Sequence, residues 1–448
     1  MTPLLYLLGV VSFVLAILAS IGLHELGHMI PAKAFGGKVT QYFIGFGPTV
    51  WSRKKGETEY GVKAIPVGGY VKIVGMLPPD KAHAGKVEYD AEGNRVVTVR
   101  RSNTGLFAQL ISDARAAEWE TITVADEHRL FYRMAWWKKV IVMAGGPTVN
   151  LLIAFFIFAG LFATYGNPAD ENINTTVSAV EHCVVPAKED GRVCRSADPI
   201  SPAAQAGLKP GDRFVSFNGT PIDSWATMQQ LIRKNADGAA AIVVERDGRR
   251  LTLHTDTMVT PRPTDVNDPQ KLTPVGFLGV TPTVTYQTGG PVYTIEQMGG
   301  LAKQSAQALA TLPVKVWGVA EAIAGVKPRA ADSPVSVVGG GRLAGETASA
   351  KDFPIKEKLV SLLGLVAGFN FFIGLFNFVP LLPLDGGHIA GALWEACRRA
   401  FARLRRRPDP GYVDVARLLP VAYVVASFLL VMGVVLIVGD LVVPVQVS

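Results

Sequence analysis

Four stretches of the chain are apolar and carry no Lys or Arg: Leu4 to Leu23, Val140 to Tyr165, Leu359 to Leu384 and Leu418 to Gly439. Each has about 20 residues or more, the length at which an α-helix crosses the hydrocarbon core of a bilayer. The segments between them follow other patterns. From Phe35 to Met76, aromatic and β-branched residues alternate between Gly and Pro, which predicts β-hairpins turning at Lys54 to Glu57. Pro78 to Asp126 is polar, weakly periodic and loop-like. From Ser201 to Ile222 the pattern predicts a short helix into Gly207, a turn at Pro210 to Asp212, a strand at Arg213 to Phe217 and a tight Asn218-Gly219 turn. A helix at Ser224 to Asn235 should follow, then strands Ala240 to Arg246 and Arg250 to Thr255 joined at Asp247-Gly248, with Gly276 to Val280 as a further strand. Leu301 to Val326 is apolar but interrupted by Lys303, Lys315 and Glu321. That spacing suits an amphipathic surface helix, because three charges inside a fifth span would be expensive.

Composition supports a membrane protein with sizeable water-facing parts: 49% hydrophobic residues, 18% charged residues and a mean hydropathy of +0.28. The first basic residue is Lys33, so the first apolar run lacks the basic leader of a signal peptide and reads as a retained span. Basic residues then set the orientation. Lys33, Lys38, Arg53, Lys54 and Lys55 flank one end of the first loop, and Arg133, Lys138 and Lys139 the other. Arg398, Arg399, Arg403, Arg405, Arg406 and Arg407 crowd the connection between the third and fourth runs. Both loops should be cytoplasmic, with both termini and the loop from Gly166 to Phe353 outside the cytoplasmic (inner) membrane. These loops account for the net charge of +7 and leave no need for a nucleic-acid partner. Of three cysteines, Cys183 and Cys194 fall in the outer loop, where a disulfide is expected, and Cys397 falls on the reducing side.

The chemistry sits at the end of the first run, in His24-Glu25-Leu26-Gly27-His28. Histidines four apart share one helix face and can reach one zinc ion, and the glutamate beside them can act as general base on a water. Ionisable groups in a membrane segment are costly and therefore functional candidates. A catalytic zinc takes three protein ligands and keeps one position open. The third ligand should come from another span at matching depth. Asp385 meets that requirement, at the cytoplasmic end of the third run in N-F-V-P-L-L-P-L-D-G-G-H. His388 is a rival ligand, and helix capping is the competing role for Asp385. Asn377 can donate to a developing oxyanion or hold the scissile peptide. Asn150 is similar but suits helix packing better.

Together these motifs resemble the site-2 protease family of intramembrane zinc metalloproteases. The match takes in H-E-L-G-H, I-G-F-G-P and G-G-Y-V-K after it, A-G-G-P-T-V-N in the second run, and N-x-x-P-x-x-P-x-D-G-G-H in the third. The outer segment P-A-A-Q-A-G-L-K-P-G-D resembles a single PDZ domain of the bacterial, circularly permuted type, which would bind an extended peptide or act as a size-excluding module. The resemblance implies cleavage of peptide bonds within substrate transmembrane helices. For the regulator-of-sigma-E protease type, it implies anti-sigma factors already cut by another protease, and remnant signal peptides. It also implies His24, His28 and Asp385 as Zn2+ ligands, Glu25 as base and Asn377 as helper. Ile44, Gly45, Phe46, Gly47 and Pro380 would then contact an extended substrate.

The expected fold is a multi-pass α-helical membrane protein with four transmembrane helices, a membrane-associated β-hairpin region and an extracytoplasmic α+β PDZ domain. The first transmembrane helix with H-E-x-x-H would occupy residues 1–33, the cytoplasmic loop with β-hairpins 34–138, and the second helix 139–165. An extracytoplasmic region, 166–355, would hold the PDZ domain at about 175–285 and the amphipathic helix. The third segment would span 356–392, a basic loop 393–416, and the fourth helix with the C-terminus 417–448. Expected partners are the lipid bilayer, transmembrane substrates and a PDZ peptide ligand. A metal transporter or inactive PDZ scaffold is the competing reading, but a transporter needs no base beside its ligands and usually shows repeated halves, which this sequence lacks.

Overall fold

A computed structural model describes residues 2–78, 88–89, 95–96, 111, 113–115, 124–187, 192–264, 272–350 and 353–445. Most of the polar stretch Pro78 to Asp126 therefore lies outside the described residues, as do 188–191 and 265–271 of the expected PDZ region. The chain forms two compact units, Met1–Gly160 with Pro291–Ser448, and Leu161–Gly290.

The first unit opens with α1, Thr2–Ala34, a single helix of 33 residues. It continues past the apolar run, so His24 and His28 sit on the same rigid rod as the span. It stops at Gly36, whose φ of 83° lets Gly37 N–H turn back onto the Ala32 carbonyl. A long hairpin follows, β1 (Val39–Lys55) and β2 (Thr58–Ile73). It is folded back on itself: Tyr42 of β1 lies opposite both Val71 and Tyr60 of β2. The bend needs positive φ, and Gly45, Gly47 and Gly68 supply it at 92°, 82° and 94°. Val39, Phe43 and Ile73 are buried in the hairpin base. Val39 and Ile73 join Met29 and Ala32 of α1 in one core cluster, together with Phe131, Val142 and Met143. The far end of the hairpin exposes Val50, Trp51 and Ile65. The short pair β3 (Glu88–Tyr89) and β4 (Arg95–Val96) follows, and then α2, Trp136–Thr164.

In the second unit, the Asn167–Val180 strand (β5) precedes α3 (Pro202–Gln205), β6 (Arg213–Phe217), β7 (Thr220–Pro221) and α4 (Trp225–Lys234). The strands β8 (Ala239–Arg246), β9 (Arg249–Asp256), β10 (Met258–Pro263), β11 (Leu272–Phe277) and β12 (Val280–Gln287) complete it. The main sheet runs β12-β5-β6-β8-β9. Its turns are at the expected Asn218-Gly219 and Asp247-Gly248, all with positive φ as a two-residue hairpin turn requires. Ser201 and Ser224 cap the two helices. Phe214, Phe217, Met228, Ile242, Val244 and Leu278 fill the core. The expected strand Gly276 to Val280 is instead split: β11 ends at Phe277 and β12 begins at Val280, with Gly279 at φ 86° between them. The sulfurs of Cys183 and Cys194 are bonded, at 2.03 Å.

The first unit resumes with α5, Pro291–Ile323, which starts ten residues before the apolar pattern suggested. The next helix, α6 (Val337–Ser349), has no counterpart in the sequence reading. Its buried face is Gly339, Gly340, Gly341, Ala344 and Gly345, small residues that let it approach α1 closely. A methyl group on Gly9 of α1 would overlap the Ala344 carbonyl. The third span, α7, is Ile355–Asn377 and not Leu359 to Leu384. Pro380 and Pro383, lacking N–H groups, keep Phe378 to Leu384 out of the helix. A new helix, α8, then runs Asp385–Leu404, and α9 runs Leu419–Val442. Among the described residues, four helices are long and apolar enough to cross a membrane: Pro3–Ala34, Trp136–Thr164, Ile355–Asn377 and Val415–Val442.

Candidate metal centre

The first residue of α8 meets the last turns of α1. His24 Nε2 and His28 Nε2 are 3.2 Å apart, and Asp385 Oδ2 is 3.4 Å from the first and 3.3 Å from the second. Three ligands of a tetrahedral ion at 2.0–2.1 Å stand about 3.3 Å from one another, so this triangle has the dimensions of one face of a zinc site. The protonation pattern agrees. His28 Nδ1 lies 2.8 Å from the Val142 carbonyl, which can only accept, so Nδ1 carries a proton and the neutral ring presents the Nε2 lone pair to the triangle. A carboxylate oxygen and an imidazole lone pair facing each other at this range call for a cation between them.

The triangle opens into a cavity of about 390 Å³. Glu25, Asn150 and Asn377 line it with the three residues above, and Gly68, Gly69, Tyr70 and Val71 of β2 form another wall. Asn150 is almost fully buried, and among the described residues its Oδ1 has no hydrogen-bond partner. Pro383 also reaches the cavity, whereas Ile44, Gly45, Phe46, Gly47 and Pro380 are not among its lining residues. Ile44 pairs with Gly69 across the hairpin, one strand away. His388 stands outside the triangle, beside a cavity of about 20 Å³ that it shares with Lys139 and Glu395. Tyr42 braces the hairpin by donating to the Gly22 carbonyl at 2.8 Å. Burial, helped by the charge of Glu25, pushes its phenol up to about 12, so it remains a donor at any ordinary pH.

The motifs quoted from the sequence contain glycines that shape the site, although no role was read for them there. Gly145 and Gly146 let α2 touch α1. A Cβ on Gly146 would overlap His28 Nε2 and come within 2.7 Å of His24 Nε2, while one on Gly145 would overlap the Gly27 carbonyl. A Cβ on Gly69 would lie 3.0 Å from the Cγ of Glu25. The available signal was a Gly-Gly pair inside an apolar helix, where each Gly is costly and so usually has a packing reason. Asn370, which is not among the lining residues of the cavity, was not singled out either. It is fully buried on α7 and donates to the Val366 carbonyl at 2.9 Å.

A family model described as peptidase family M50 matches residues 12–410. The chain belongs to this family, that of the site-2 proteases. Among its M50 relatives, zinc metalloprotease Rip1 of Mycobacterium tuberculosis is 33% identical over 99% of both chains. Rip1 of Mycolicibacterium smegmatis is 34% identical over 94% of both. Zinc metalloprotease RasP of Bacillus licheniformis is 25% identical over 87% of this chain and 90% of its own. The protein is thus a membrane-integral zinc metalloprotease, a hydrolase whose cofactor is Zn2+.

Proposed function

We propose that this M50 enzyme cuts peptide bonds inside the transmembrane segments of other membrane proteins, at a site built from His24, His28, Asp385 and Glu25. The observation carrying this reading is the 3.2–3.4 Å triangle of donor atoms, set at the end of a 33-residue apolar helix and sharing one cavity with Glu25. His24, His28 and Asp385 would hold the zinc. Zinc bound there supplies a Lewis acid that polarises the scissile carbonyl and lowers the pKa of water. Glu25 takes the proton of the attacking water and delivers it to the leaving amide nitrogen. The Val142 carbonyl keeps His28 in the tautomer that offers Nε2. The Asn377 amide donates to the developing oxyanion, and Asn150 is placed to assist it. A helical peptide shields its carbonyls, so the substrate must enter extended. The β2 wall, with Ile44 to Gly47 behind it and Pro380 beyond the end of α7, supports an extended approach.

The basic loops support a cytoplasmic-membrane location with both termini outside and the metal site toward the cytoplasm. In this reading residues 166–355 are extracytoplasmic, and 175–285 form the PDZ domain, supported by its strand–helix order and the turns at Asn218-Gly219 and Asp247-Gly248. Anti-sigma factors already trimmed outside, and remnant signal peptides, are the substrate class. Reconstituting the enzyme with a trimmed single-span substrate and locating the new termini by mass spectrometry tests the reading. Cuts within the apolar span support it, and cuts confined to flanking loops refute it.

A further inference from the structure

We propose that α8 is an interfacial helix whose outward apolar face and C-terminal arginine cluster bind anionic phospholipid headgroups. The helix has two faces. Ala392, Glu395 and Ala402 are buried against the protein on one side. On the opposite side Leu393, Trp394, Cys397, Phe401 and Leu404 are exposed, Trp394 at 61% and Leu404 at 83%. Their spacing of i, i+1, i+4, i+8 and i+11 places them in one stripe. Such a stripe bordered by arginine is the pattern of a helix lying in the headgroup layer.

The charge lies at one end of the stripe. Arg399 is taken up by Glu395 and Asp409. Arg403, Arg405, Arg406 and Arg407 are exposed, and among the described residues no carboxylate is within ion-pair reach of them. The helix stops with Arg406 at φ 51° and the Arg407 N–H on the Ala402 carbonyl, which gathers Arg405, Arg406 and Arg407 at one place. The Arg405 guanidinium lies 4.3 Å from the centre of the Phe401 ring, so apolar and cationic surfaces are contiguous.

Chain continuity selects a bilayer over a soluble partner. Phe378 to Leu384 separate α8 from one membrane-spanning helix, and Arg405 to Leu418 separate it from the next. The helix is therefore tethered to the membrane at both ends, and its uncovered face carries both the apolar and the cationic groups that an anionic headgroup layer complements. Each guanidinium near such a surface favours binding by about fivefold. The proposal needs only the membrane placement of the chain and not the proteolytic mechanism.

Cys397 supplies the probe, because it is exposed on the stripe and the other two cysteines are bonded to each other. The full-length protein would be labelled there with an environment-sensitive fluorophore and placed in nanodiscs of phosphatidylcholine, with or without phosphatidylglycerol. Chain-brominated lipid is the quencher. The expected result is quenching in both membranes, stronger with phosphatidylglycerol. The combined Arg403→Ser, Arg405→Ser, Arg406→Ser and Arg407→Ser variant should lose the added quenching, and Trp394→Ser with Leu404→Ser should lower quenching in both. A label that stays in water in every membrane overturns the proposal. So does quenching that ignores both the phosphatidylglycerol and the arginines. Shielding of the label in native membranes but not in nanodiscs would indicate a protein partner, and would overturn it as well.

Discussion

Lys139 and Glu395 form an ion pair of 2.7 Å with side chains only 7% and 2% exposed, joining helices 256 positions apart in sequence. Lys139, Val142 and Gly146 share one face of α2, at i, i+3 and i+7, and Val142 and Gly146 are the residues that touch His28. Asp385, His388, Ala392 and Glu395 share one face of α8 in the same way. The pair therefore fixes how far α8 can slide along α2, and with it the height of Asp385 beside the histidines. Removing one partner of a buried pair costs about 3–5 kcal/mol because the other charge is left uncompensated. Glu395 also forms an ion pair with Arg399 at 3.1 Å, so Lys139→Met should fall at the lower end of that range and Glu395→Leu at the upper. The double variant with both residues apolar should recover most of the loss. Loosening the support of a ligand should weaken zinc binding by about 10–100-fold. The assay is chelator competition for zinc alongside thermal unfolding in detergent. Asp440→Asn is the control, since it breaks the equally buried Arg329–Asp440 pair at the other end of α9. It should lower the melting temperature and leave zinc affinity unchanged. If Asp440→Asn weakens zinc as much as Glu395→Leu, or if Glu395→Leu leaves zinc affinity intact, the positioning argument is refuted.

Gly146→Ala should cut zinc content at least tenfold by forcing the histidines apart, whereas Gly160→Ala, whose added Cβ meets no atom within 4 Å among the described residues, should gain about 0.5–1 kcal/mol of stability; metal analysis and thermal melts separate the two. Burial tends to raise the pKa of Asp212, but two hydrogen bonds from Arg246, at 2.6 and 2.7 Å, and one from the Lys209 N–H hold it below the usual carboxylate range. The stability this group contributes is thus fully present above its unfolded value of about 4 and lost as pH falls through the lower folded value; hydrogen exchange in 161–290 should show a steep acid limb that Asp212→Asn flattens. Reducing Cys183–Cys194 opens a loop with a sequence separation of 11, worth about 2–3 kcal/mol, so exchange should rise around Ile200 while zinc content stays constant.

What could be read from the sequence followed local periodicity. The four apolar runs, the i, i+4 histidines and the Asn-Gly and Asp-Gly turns each declare themselves within one window, and the structure places helices and turns at them. Asp385 was reachable because it ends the third apolar run at a depth matching the histidines, whereas the 20-residue helix that begins there was not read from the pattern. Features depending on distant approach were not legible. The glycine face of α6 carries little hydrophobic signal, because its packing comes from backbone proximity rather than side-chain bulk. Lys139 read as a topology marker at the water boundary until its carboxylate partner on α8 was seen. The double pairing of Tyr42 is a matter of register, which alternation alone does not set.

The most direct test of the central claim is zinc content and cleavage of a single-span substrate, measured for the wild type, Glu25→Gln and Asp385→Ala in detergent. The account predicts zinc and cutting in the wild type, zinc without cutting in Glu25→Gln, and loss of both in Asp385→Ala. Full cleavage by Glu25→Gln, or undiminished zinc in Asp385→Ala, would contradict it.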